Sequence, residues 1–207
     1  EVNSLTVESS SELQVSEDGA MVITNNFDNS GAITITSTTS QSGTLIVRGI
    51  ANGMVTYERG GLVANKWSIV SAPVSGQSIK EFVENPANSI RVNTTTTPYR
   101  YAISYYNDSK PSGSKWVYYD VDYLAANPNE TFEKGRSYAI SRGTNGSVIF
   151  TGTLETANVT KQVAASEWNA VGNPYTAFLP INENSGTNFI NDTLSKFNPV
   201  NVGVYVW

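Results

Sequence analysis

The chain is predicted to be all-β, and three observations carry that prediction. Apolar triplets such as Leu5-Thr6-Val7 recur between Ser, Asn, Asp and Gly spacers, a motif Trp-x-x-Val-x-x-Pro occurs twice, and two aromatic runs flank a loop rich in Gly, Pro and Ser. Triplets in period-2 alternation, spaced by about eight to twelve residues, fit short strands in stacked rungs or a meander. The predicted architecture is a short-rung β-meander or β-solenoid-like section over residues 1–60, then an antiparallel, jelly-roll-like β-sandwich with a few short helical turns. The sandwich divides into two related units, 61–165 and 166–207.

Within the first section, Leu13-Gln14-Val15, Val22 with Ile23, Ile33-Thr34-Ile35, Leu45-Ile46-Val47 and Val55-Thr56-Tyr57 continue the triplet series. Their spacers are turn formers. Asn52-Gly53 has the composition of a type I′ hairpin turn, so antiparallel hairpins and a solenoid stand as equal alternatives. Gly60-Gly61 leads into the first motif copy, Trp67, Val70 and Pro73, where proline ends the strand because it has no N–H to donate. Ser78 is a candidate N-cap, and with Pro86 beyond it predicts one or two helical turns. Tyr99 to Tyr106 and Trp116 to Tyr119 form an aromatic hairpin. Asn145-Gly146 predicts a second hairpin, between Tyr138-Ala139-Ile140 and Val148-Ile149-Phe150. Val159 to Val163 adds one more strand.

The second motif copy, Trp168, Val171 and Pro174, matches the first at one constant offset. Trp67 and Trp168 are expected to be core anchors of one unit used twice. Phe189-Ile190 and Leu194 suggest a short helix. At the same offset, Val202 to Trp207 aligns with Tyr101 to Tyr106 but has no hairpin partner after it. An unpaired apolar edge is normally avoided, so the chain is expected to continue past residue 207 or to pair there with another molecule.

Composition excludes whole classes of chemistry. There is no cysteine and no histidine, which removes thiolate chemistry, sulfur-based zinc sites and Ser-His-Asp or Cys-His catalysis. Charged residues are 15% of the chain and the net charge is -5, which argues against a nucleic-acid surface. No apolar run is long enough to cross a bilayer, so direct membrane insertion is not expected. Glu1-Val2-Asn3 lacks the basic and apolar regions of a signal peptide, which suggests a mature secreted product or a fragment.

Two constellations are candidates for binding. Tyr101, Tyr105, Trp116 and Tyr118 crowd the aromatic hairpin and form a candidate glycan platform, because exposed aromatic rings can stack on sugars. Alternation puts Tyr101 and Tyr105 on one face with Tyr106 opposite, and Trp116 with Tyr118 on one face with Tyr119 opposite. Asp120, Asp122, Asn127 and Glu130 offer the oxygen density of a candidate calcium site, although their spacing is not that of an EF-hand. No other cofactor is implied. Gly172-Asn173-Pro174-Tyr175 reads as structural, since glycine permits close approach, Asn forms Asx-turns and proline fixes φ. Ser112-Gly113-Ser114-Lys115 matches a β-lactamase-type spacing by coincidence, because its companion motifs are absent.

The segments Trp67-Ser68-Ile69-Val70-Ser71-Ala72-Pro73-Val74 and Trp168 to Tyr175, with the rungs Gly31 to Ile35 and Gly43 to Val47, resemble large secreted and surface proteins of Bacteroidota. So do Gly135-Arg136-Ser137-Tyr138 and Ile149 to Leu154. Ser68 and Thr176 depart from the family pattern, which has histidine and proline there. The resemblance implies cargo of the type IX secretion system, extracellular or at the cell surface, with the secretion machinery and surface-anchoring components as partners. Asp192-Thr193-Leu194 fits the short O-glycosylation signal of such bacteria, with Thr193 as the acceptor. The expected function is a non-catalytic, adhesin-like or stalk module that contacts glycans or other surface proteins. The alternative is a carbohydrate-binding accessory module of a polysaccharide-degrading enzyme. A catalytic fragment would instead require two carboxylates facing each other in a cleft.

Overall fold

Residues 1–164 and 168–181, with residues 188, 189 and 195, are described by the computed structural model. The fold is all-β, with two short helices among the described residues. Its first strands are β1 (Leu5–Val7), β2 (Glu12–Val15), β3 (Ala20–Ile23), β4 (Phe27–Asn29), β5 (Ala32–Ser37), β6 (Thr44–Val47), β7 (Ala51–Asn52) and β8 (Met54–Leu62). They pair in parallel: β1 with β4 and β4 with β7, β2 with β5 and β5 with β8, and β3 with β6. This is a three-sided β-solenoid, and it decides between the two alternatives open in the sequence.

The coils stack like on like. Leu13 lies beside Ile33, Val15 beside Ile35, Ile35 beside Tyr57, Leu5 beside Phe27, and Ile23 beside Val47. Alternation sends these side chains into the solenoid, where Val15, Ile23, Phe27, Ile33 and Ile35 are buried. The corners are fixed by side-chain amides: Asn25 donates to Asn3 at 2.8 Å, and Asn52 donates to Asp28 at 2.7 Å. Asn52-Gly53 is one of these corners and not a hairpin turn. The strands on either side of it join different sheets, and Gly53 has φ +90° with the Asn29 carbonyl 2.0 Å from where a Cβ would stand. The dipeptide supplies the bend but does not dictate that its flanking strands pair.

After β8 come β9 (Trp67–Val70), α1 (Ile79–Glu84), a 3-10 turn (Pro86–Asn88), β10 (Val92–Asn93), β11 (Arg100–Tyr106), β12 (Trp116–Asp120), α2 (Val121–Ala126), β13 (Tyr138–Ser141) and β14 (Gly146–Thr153). The Ser78 cap is as expected, its hydroxyl accepting from the Glu81 N–H. A mixed-length antiparallel sheet runs β10-β11-β13-β9, with β12 also on β11. β13 and β14 are not a hairpin: β13 joins this sheet, while β14 pairs antiparallel with β8 and so extends a solenoid sheet, β14-β8-β5-β2. The second layer of the sandwich is therefore the solenoid's own wall. The boundary expected at residue 60 falls inside β8.

The two layers meet through aromatic rings. Phe150 of β14 stacks on Phe82 of α1 with centroids 4.9 Å apart, and Phe132 packs edge-on against Phe82, Phe150 and Tyr138 of β13. Beside them, buried Arg142 donates through Nε to Asn88 O, through Nη2 to Ala87 O and through Nη1 to Thr144 O. It thereby ties the 3-10 turn to the end of β13.

The second motif copy does not repeat the conformation of the first. Trp67 to Val70 is a strand against 138–141, whereas the second copy makes one bridge, Val171 to Arg136, beside the start of the same stretch. Gly172 is required there, because a Cβ would lie 2.4 Å from Ser71 Cβ and 2.7 Å from the Arg136 carbonyl oxygen. Asn173 Oδ1 accepts from Tyr175 N, and the Tyr175 hydroxyl donates to Ala157 O and accepts from Val159 N. Thr176 then reaches the solenoid: its carbonyl accepts from Leu45 N and its hydroxyl donates to Leu45 O. Gly172 to Thr176 is thus a structural clasp, and the Thr176 hydroxyl contributes one of its bonds.

Residues 159–163, expected as a strand, have no regular structure and are held by side-chain bonds such as Lys161 to Glu133. Thr193, the helical turn at Leu194 and the strand Val202 to Trp207 lie outside the described residues.

Candidate functional site

The aromatic hairpin forms as predicted, with β11 and β12 paired so that Tyr106 faces Trp116 and Ser104 faces Tyr118. Directly opposed residues share a face, so Tyr106, Trp116 and Tyr118 project from one side of the sheet. The Tyr106 and Trp116 rings meet edge-on at 5.4 Å. Tyr118 meets Trp67 at 5.9 Å, although Trp67 belongs to β9, with β11 and β13 lying between their strands. Three strand spacings of about 4.8 Å separate them, so the two side chains arch over the intervening strands. The residues on that face between them are small: Ser104, Ala139 and Ser141, all buried. Among the described residues, the hydroxyls of Ser104 and Ser141 have no hydrogen-bond partner. Buried polar atoms of this kind are uncommon and costly.

Trp67 is therefore not a core anchor. It is 50% exposed, and Trp168 is 65% exposed. The reason is geometric. In a strand, residues three apart point to opposite faces, so Trp-x-x-Val cannot bury both. Val70 takes the core position, and Trp67 takes the outer face.

The four predicted platform residues divide between the two sides. Trp116 and Tyr118 stand on the outer face, 37% and 40% exposed. Tyr101 and Tyr105 pack against the core from the inner face, where Tyr105 lies 5.6 Å from Tyr119 and under the Arg136 guanidinium at 4.7 Å. Sequence reasoning missed Trp67 and Tyr106 as platform members, though the odd spacing in the first motif and the alternation of Tyr106 from Tyr105 both carried the signal.

Three of the four candidate calcium ligands are engaged by neighbours of their own. Asp120 Oδ1 caps α2 by accepting from Tyr123 N at 2.8 Å, and Asn127 Nδ2 donates to Tyr123 O at the other end of the same helix. Glu130 accepts from the hydroxyls of Tyr119 and Tyr123. Asp122 lies exposed in the first turn. Among the described residues no group of three or more acidic side chains could hold a metal ion. The local oxygen density of the sequence is consumed by capping a short helix and by tyrosine hydroxyls. Burial, then neighbouring phenols and Glu130, push the Tyr119 phenol far above its ordinary range, while its hydrogen bond to Glu130 raises Tyr123 to about 12. Other carboxylates are paired with cations: Glu84 with Lys80, Glu133 with Arg136 and Lys161, and Glu155 with Lys134.

Next to Trp67, a hollow of about 330 Å³ opens between the end of β8 and β9. Its lining includes Thr39, Arg59, Leu62, Trp67, Ser68 and Ile69. Arg59 is half-buried, with Nη1 donating to the carbonyls of Thr38 and Gly60.

Comparison with known protein families, with characterised proteins and with solved structures finds no match.

Proposed function

We propose that this chain is a non-catalytic, extracellular interaction module of a larger secreted or surface-anchored protein, and that it engages carbohydrate through its outer aromatic face. The observation that supports the reading most is the strip formed by Tyr106, Trp116, Tyr118 and Trp67. Three of these four are more than a third exposed, whereas the other strand aromatics among the described residues are buried in the core or packed against it. Aromatic rings dominate apolar burial, and leaving several together in water is a cost that a binding surface accounts for. A flat, amphipathic row of rings suits the stacked faces of sugar rings, and it needs no titratable group. The solenoid suits the stalk-like component of the same role, because its coils stack directly on one another. The extracellular and type IX assignments rest on the sequence resemblance in the Trp67 to Val74 and Trp168 to Tyr175 segments.

Affinity electrophoresis in gels containing single polysaccharides tests the reading. The wild-type chain is expected to be retarded by at least one polysaccharide. A Trp116→Ala, Tyr118→Ala variant that melts at an unchanged temperature should run free. Equal retardation of the two proteins would refute the aromatic face as the binding surface.

A further inference from the structure

We propose that the hollow between β8 and β9 is a specificity pocket for an acidic sugar, with the carboxylate of a uronic-acid residue held by Arg59 and its ring against Trp67. The inference rests on the carbohydrate-binding reading above and gives it a substrate class.

The hollow lies at one end of the aromatic strip and shares Trp67 with it, so a sugar chain running along Trp116 and Tyr118 would reach it next. Its volume of about 330 Å³ is at the small end of ligand sites, about 300–1,000 Å³. Of the residues that line it, Arg59 is the one that carries charge, and none is acidic. Arg59 is also set up to receive an anion. Two backbone carbonyls fix Nη1, which orders the guanidinium, and among the described residues no carboxylate forms an ion pair with it. Arg136 is different, because it is spent on Glu133.

A guanidinium fork matches a carboxylate in two parallel hydrogen bonds, and it is less strongly hydrated than an ammonium. Glu58 does not compete, since alternation along β8 turns it to the opposite face. The Gly60-Gly61 pair keeps this geometry. At Gly61, φ is +73° and a Cβ would lie 2.3 Å from Thr39 Cγ2, so the strand approaches the Thr38-Thr39 turn closely enough for Arg59 to reach its carbonyl. Thr39, Leu62, Ser68 and Ile69 complete the lining, which offers a sugar ring a neutral wall around Arg59 and Trp67.

Isothermal titration of the whole chain with three oligosaccharide sets tests this: oligogalacturonate, the same oligomer methyl-esterified, and a sulfated galactan oligomer. Oligogalacturonate is expected to bind at least tenfold more tightly than its methyl ester, and Arg59→Gln should abolish that preference. Trp67→Ala, at an exposed position, should weaken the oligogalacturonate and its ester alike. Equal affinity of wild type for acid and ester would overturn the proposal, and that comparison needs no variant to fold. Tighter binding of the sulfated oligomer would overturn the carboxylate assignment. Binding of neutral sugars through the aromatic strip without acid preference would sink this pocket alone, whereas no carbohydrate binding at all would sink the broader reading as well.

Discussion

Phe150→Ala should destabilise both halves of the molecule together. Phe150 is fully buried, stacked 4.9 Å from Phe82 and edge-on to Phe132 at 5.5 Å. Removing such a ring costs about 3–5 kcal/mol in transfer and cavity terms, against a total stability of about 5–15 kcal/mol for a typical domain. The loss is therefore a large fraction of the whole. Its reach follows from topology, since β14 carries Phe150 into the aromatic core while pairing along β8, the last long strand of the solenoid. None of the four tryptophans belongs to β1–β8, so their fluorescence does not arise from the solenoid strands, whereas far-ultraviolet circular dichroism monitors every strand. In urea, both signals should give one coincident transition for wild type and one, shifted to lower urea, for Phe150→Ala. The reasoning would be refuted by a variant whose fluorescence transition moves while a dichroism transition stays at the wild-type midpoint.

Four other outcomes are expected. Gly172→Ala should lower stability by about 1–3 kcal/mol through overpacking against Ser71 and the Arg136 carbonyl, and an unchanged denaturation midpoint would contradict the close approach. Because the folded phenols of Tyr119 and Tyr123 are raised, they contribute stability that is complete below about pH 10 and is lost as pH climbs past the unfolded tyrosine value. In an ultraviolet absorbance titration, Glu130→Ala should bring Tyr123 back toward its ordinary value and leave Tyr119, raised chiefly by burial, still high. Millimolar calcium should leave the melting temperature unchanged, and a clear rise would mean that Asp120 and Glu130 give up their present partners.

The all-β class, the cap at Ser78 and the aromatic hairpin were legible because each depends on local spacing alone. Pairing was not. Asn52-Gly53 and Asn145-Gly146 specify bends, but the partners of β8 and β14 are chosen by contacts distant in sequence, such as Phe150 with Phe82. Likewise, Asp120, Asp122, Asn127 and Glu130 are close in sequence, yet a helix of six residues separates their oxygens and uses two of the side chains as caps. The outer platform was half legible. Trp116 and Tyr118 come from the hairpin itself, while Trp67 joins them only after β13 and β9 take their places in the sheet.

The parallel register of the first eight strands has a consequence for length. Leu5 sits beside Phe27 and Phe27 beside Ala51, Leu13 beside Ile33 and Thr34 beside Thr56, and Val22 beside Ile46, so one circuit of the chain takes 20 to 24 residues, varying from coil to coil as well as from side to side. Inserting or deleting one whole circuit there would change the height of the stack by about 4.8 Å and leave β14, the Gly172 to Thr176 clasp and the aromatic face untouched. Relatives of this chain could therefore differ in reach by fixed increments, like marks on a ruler, while presenting the same surface at the far end.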